Sequence, residues 1–165
     1  MSKNLLLSLG VTSLLFTGCA MDSISYNNAV VDHMEEISVA WDNAYQAYID
    51  NVPVDINETT VVDVTAMQTN YDTLSLLVGE VETDLMTKES RNTEQQAAVQ
   101  ASLTQYQSAA NDYLAVYQEI LNYYEGDFAS NLGNAWPLED KLYDADDVWV
   151  DAHNSLGDVL NSYIY

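Results

Sequence analysis

The chain is poor in cysteine, proline, glycine and positive charge. Its 165 residues include one cysteine, two prolines, six glycines and four Lys or Arg, the last against 26 Asp or Glu. A single cysteine excludes an internal disulfide and a zinc cluster built on thiolates. With a formal net charge of −22, nothing is left to neutralise a run of phosphates, which excludes DNA and RNA as ligands. There is no glycine-rich phosphate loop, no GxSxG and no HExxH, so three common catalytic designs are missing. An EF-hand is missing too, since Asp144-Ala145-Asp146-Asp147 has neither the central glycine nor the closing glutamate. No repeat of solenoid period and no low-complexity tract occurs.

What remains is a chain that can fold. Hydrophobic residues make up 48%, too many for simple disorder, and the length suits one domain. The first residues, MSKNLLLSLGVTSLLFTGCA, combine a positive start at Lys3 with a mainly apolar run from Leu5 to Phe16. That run falls short of the ~20 residues a transmembrane helix needs, and small residues follow it, as in a secretory leader. Phe16-Thr17-Gly18-Cys19 resembles the lipobox of bacterial lipoproteins, with Phe16 where that family usually has Leu. The resemblance covers the leader only. It implies cleavage after residue 18, a diacylglyceryl group on Cys19 and attachment to a membrane of the cell envelope. Ala20 stands where an Asp commonly marks inner-membrane retention, which points to the outer membrane in a Gram-negative source. Removing residues 1–18 leaves Lys88, Arg91 and Lys141 against all 26 acids.

Beyond Cys19 the apolar residues recur at alternating spacings of four and three. The first seam is Val30, Met34, Ile37, Trp41, Ala44 and Tyr48; the second is Val64, Met67, Tyr71, Leu74, Val78, Val81 and Leu85. The third is Val99, Leu103, Tyr106, Ala110, Tyr113, Tyr117, Ile120 and Tyr124; the fourth is Leu138, Leu142, Ala145, Trp149, Ala152, Leu156, Val159 and Tyr163. One apolar stripe per helix favours shallow crossing angles. The punctuation falls between the stripes: Pro53 after the first, Thr60 with Asp63 before the second, Thr93 with Gln96 as a capping box, Gly126 as a helix stop, and Gly133 and Pro137 around the last start. Helices are predicted near 24–50, 60–87, 93–125 and 137–163. The expected fold is all-α: an up-down-up-down four-helix bundle over 24–165, carried on a short tether at 19–23 after a cleaved leader at 1–18. A three-helix bundle with one mobile segment is the alternative.

In that topology Cys19, the turn at 88–92 and the C-terminus share the membrane end, so Lys88 and Arg91 would face headgroups. Asp140, Asp144, Asp147, Asp151 and Asp158 lie two places past seam positions and face solvent. His33 and His153 flank the seams at similar expected heights, and with Glu36 they form a conceivable metal site, Asp32 and Asp151 being nearby. Tyrosine is abundant, 12 against two Phe. Tyr113, Tyr117, Tyr123, Tyr124 and Trp136 gather at the membrane-distal end as a candidate ligand patch. The mature part is similar in style to small helical lipoproteins of bacteria. The sequence thus reads as a non-catalytic, lipid-anchored envelope protein, without a cofactor, that binds or scaffolds a protein partner. A ligand- or metal-binding lipoprotein and an acidic inhibitor of a basic envelope protein are the alternatives, and a saline habitat is a further source of such acidity.

Overall fold

The structure, a computed structural model, describes residues 20–163 except 58 and 127. The leader, Cys19 and its attachment lie outside the described residues. Four long helices account for most of the rest: α1 (Ala20–Asn51), α2 (Val64–Glu80), α3 (Thr93–Glu125) and α4 (Ala135–Ser162). No strand occurs among the described residues, and no described helix is long and apolar enough to cross a membrane. The protein is an all-α helical bundle.

Each helix boundary has a local cause. α1 already includes residues 20–23, expected as a tether, because Ala20-Met21-Asp22-Ser23 contains nothing that breaks a helix. α2 starts four residues later than expected. Asp63 is its cap, accepting from the backbone N–H of Thr65 at 3.1 Å and of Ala66 at 3.3 Å. Thr60 serves the preceding turn instead, its hydroxyl accepting from the Asn57 N–H at 2.9 Å. α2 passes into one π-helical turn, Val81–Leu85, closed by the Met86 N–H on the Val81 carbonyl at 3.1 Å. That wider turn still buries both Val81 and Leu85.

α3 has the predicted bounds, but its cap is Asn92, which accepts from the Gln95 N–H at 3.1 Å. Asn is a strong N-cap, and it displaces the expected box by one residue. Gln96 reaches back to the Ser90 N–H at 3.0 Å. Gly126 ends α3 in an extended conformation (φ −82°, ψ −163°), not the left-handed one expected of a glycine stop. A short 3₁₀ segment, Phe128–Asn134, kinks at Asn131 and leads into α4, whose first turn holds Pro137.

No seam residue is exposed. The whole α3 seam is buried, and α3 buries Ser102, Ala109, Leu114 and Leu121 besides, because it touches all three other helices. Gln107 on α3 donates to the Val78 carbonyl of α2, Tyr117 to the Ala44 carbonyl of α1 at 2.7 Å, and Tyr113 lies 5.2 Å from Trp149 of α4, centroid to centroid. The seam of α4 is buried every seventh residue, at Leu142, Trp149 and Leu156, and half-buried between them. α4 therefore sits at the edge of the core.

One end of the bundle is tied by a buried polar chain. Gln95, fully buried, donates to the Asn27 side chain at 2.6 Å and to the Ser23 carbonyl at 3.2 Å. Asn27 donates on to the Leu160 carbonyl at 3.2 Å, and the Ser90 hydroxyl donates to Gln95 at 3.2 Å. The chain joins the start of α1, the turn before α3 and the end of α4. Buried amides of this kind cost ~1–3 kcal/mol each when a partner is lost. Gln95→Leu is expected to lower unfolding stability by about 2 kcal/mol in urea titration, because the buried Asn27 side-chain oxygen loses its donor.

Candidate functional site

The principal concavity lies between α1 and α4, and its walls follow from the seams. Five residues of α1 that come one place after seam positions are Glu35, Ser38, Asp42, Tyr45 and Ile49, and five of α4 are Glu139, Tyr143, Asp146, Val150 and His153. All ten line a single groove of about 1780 Å³. Trp41 forms its floor, stacked on the buried Trp149 with ring centroids 4.4 Å apart and planes 27° from parallel. The segment after α1, from Val52 to Asn57, and the start of α4 with Trp136 form the rim.

The groove is both greasy and acidic. Eight large hydrophobic side chains are exposed among the described residues, and five of them line it: Val39, Ile49, Val54, Trp136 and Tyr143. Such clustering, as opposed to single scattered exposures, marks an interaction surface. Six carboxylates share the walls: Glu35, Asp42, Asp55, Glu139, Asp146 and Asp147, with no Lys or Arg among the described lining residues. Trp and Tyr faces beside carboxylates attract cations by two routes, ring quadrupole and net charge.

Several groups in the groove have shifted protonation. Burial pushes the Asp146 carboxyl up to about 6, with the neighbouring Asp147 adding to the shift and a hydrogen bond from the Trp41 indole opposing it. His153 is pushed down by burial. Its Nδ1 is buried without a hydrogen-bond partner, and its ring lies 5.9 Å from that of Tyr106. Tyr143 donates to the Glu139 carboxylate at 3.0 Å and has its pKa raised, first by burial. A carboxylate held where its charge is unfavourable is a feature of functional sites more than of inert surfaces.

The expected ligand patch is divided by the fold. Tyr124 and Trp136 line the groove. Tyr113 and Tyr117 do not; they are wholly buried, because both of their flanks on α3 are covered by other helices. Tyr123 turns to the loop, donating to the Asn131 carbonyl at 3.0 Å and packing near Phe128. The two histidines are on different surfaces. His33 precedes its seam and faces α2, with Nε2 3.1 Å from the Leu77 carbonyl oxygen and Nδ1 3.9 Å from Glu36, whereas His153 follows its seam and faces α1. Among the described residues no three His, Cys, Asp or Glu side chains gather into a group that could hold a metal. Lys88 and Arg91 are exposed in the turn before α3, and the five aspartates of the α4 stripe are exposed as expected.

Sequence reasoning missed Trp41, Tyr45, Tyr143 and Asp146. Their signal was present: both flanks that follow a seam on α1 and α4 mix aromatic and acidic side chains. No protein family, curated protein or solved structure matches the chain.

The sign of the Asp146 effect on stability is fixed by its shift. A folded-state pKa of about 6 against 3.8 means that the folded protein binds this proton more tightly than the unfolded chain. The group therefore opposes folding as pH rises from about 4 through about 6. Asp146→Asn is expected to raise the melting temperature by ~2–4 °C at pH 7, allowing for solvent screening of a half-exposed group, and to change little at pH 4. Thermal melts at the two pH values test this.

Proposed function

We propose that this protein is a non-catalytic, lipid-anchored protein of the bacterial cell envelope whose helical bundle captures a partner in the groove between α1 and α4. The groove is the observation that carries the reading: its exposed apolar side chains and its carboxylates are more than a solvated surface requires. The lipobox-like residues at 16–19 supply the anchor, since the thiol of Cys19 is the group such a motif lipidates. Two or more acyl chains hold a protein durably where one does not.

The order of the bundle in this reading is up-down-up-down, with the anchor end opposite the groove rim. Five contacts between helices support it. Asn27 near the start of α1 meets Leu160 near the end of α4, and Gln95 at the start of α3 meets Ser23 and Asn27. His33 meets Leu77 late in α2, and Tyr117 late in α3 meets Ala44 late in α1. The turn carrying Lys88 and Arg91 then stands beside the membrane, and the groove begins at Met34, ~21 Å up α1 from Ala20.

Envelope fractionation and mass spectrometry test the anchor. The mature protein is expected in the membrane pellet with a diacylglyceryl mass on Cys19, and Cys19→Ser is expected to abolish both. A soluble product with a free thiol overturns the anchored reading. Lys88→Gln with Arg91→Gln is expected to weaken binding of the lipidated protein to anionic vesicles severalfold at low salt, with no change on neutral ones; flotation assays measure this.

A further inference from the structure

We propose that the groove between α1 and α4 receives a basic amphipathic helix from a partner protein, laid lengthwise along it. This rests on the capture reading and names the occupant.

Shape is the first argument. The lining runs from Met34 to Ile49 on α1 and from Ala135 to His153 on α4, ~23 and ~27 Å of helix at 1.5 Å per residue. A guest helix of about 16–18 residues has that length. The volume of about 1780 Å³ exceeds the ~300–1000 Å³ usual for small-molecule sites. Two host helices bridged by a Trp–Trp stack offer a trough, and an amphipathic helix fills a trough with residues at i, i+3, i+4 and i+7.

Chemistry is the second. The apolar lining, with Trp41, Tyr45 and Ile49 on one side and Tyr143 and Trp136 on the other, matches an apolar stripe. The carboxylates are interleaved with these side chains, so cations flanking the guest's stripe fall within reach of Asp42, Glu139 and Asp147. Charge also excludes the nearest competitor, a second copy of this chain. With 26 acids against four cations, two such surfaces repel each other. Nor does the groove offer a lysine or arginine, among its described lining residues, to an acidic guest.

The test uses the full-length protein in detergent and three labelled 18-residue peptides. The first is a Leu/Lys helix with an apolar stripe, the second has the same composition scrambled to abolish the stripe, and the third is the first with Glu for every Lys. Fluorescence anisotropy is expected to give micromolar binding for the first and at least tenfold weaker binding for the other two. Trp136→Ala combined with Ile49→Ala, both exposed positions, is expected to weaken the first peptide at least tenfold with unchanged circular dichroism. Val61→Ala with Leu76→Ala, exposed but outside the groove, is expected to have no effect. Equal binding of the scrambled peptide shows diffuse charge attraction and overturns the proposal. So does tetrapropylammonium displacing the first peptide at lower concentration than the unlabelled peptide does, which marks a small-cation site. Dimerisation lost in the Trp136/Ile49 variant, seen by sedimentation, overturns it in favour of a second copy. Failure here leaves the mass and fractionation at Cys19 unaffected, so the anchored reading stands or falls separately.

Discussion

Trp41 lying flat on Trp149 is the contact on which the shape of this bundle depends. Helices approach each other to a distance set by the side chains at their contact. α1 packs closely along α2, and α3 along α4. Where α1 meets α4, two indoles are stacked at 4.4 Å, and the combined bulk of the pair holds the axes apart. The space above the rings is the groove. Trp149 is itself fixed between Tyr106 and Tyr113, so the floor is anchored in the core while Trp41 remains partly open to solvent.

The two ends of the molecule solve opposite problems. At the end where α1 starts and α4 stops, Gln95, Asn27, Ser90 and the Ser23 carbonyl are joined by hydrogen bonds. Such a network specifies a single register, because any slip of α1 against α4 leaves an amide unpaired. Toward the rim no comparable chain of hydrogen bonds joins α1 to α4 among the described residues. There the exposed side chains are mainly apolar or anionic, and Asp146 keeps a carboxylate in a place that penalises its charge. The buried polar ties thus lie at one end of the bundle, and the exposed apolar side chains with the penalised carboxylate at the other.

Acidity acts on two scales. Over most of the surface, including the outward stripe of α4, it keeps the protein solvated and repels its own kind. Within the groove the same charge sits next to indole and phenol faces in a partly desolvated trough, where electrostatic interactions are screened less than on the open surface. A residue type that is uninformative by its abundance becomes selective by its neighbours.

The all-α class, four helices and most core residues were legible in the amino-acid order, because a 4-3 spacing of apolar residues admits only one backbone period and one buried stripe per helix; Tyr26, Leu114, Leu121 and Leu160 are buried off the seams. Helix ends were less legible, as at Asn92 and Asp63, since several adjacent polar residues can cap and only the chain path selects among them. The candidate surface was half visible. Trp136 and Tyr124 were recognisable as candidates, yet Tyr113 and Tyr117 belong to the core, and His33 and His153 face different neighbours. The residues following each seam on α1 and α4 carried the pattern of the groove all along. What they could not carry was the knowledge that these two flanks face each other across a gap, which depends on which helices are adjacent and on how far a pair of stacked tryptophans holds them apart. One-dimensional periodicity determines which side of a helix is buried; the distance between two helices is a property of the pair, and only the assembled tertiary structure decides it.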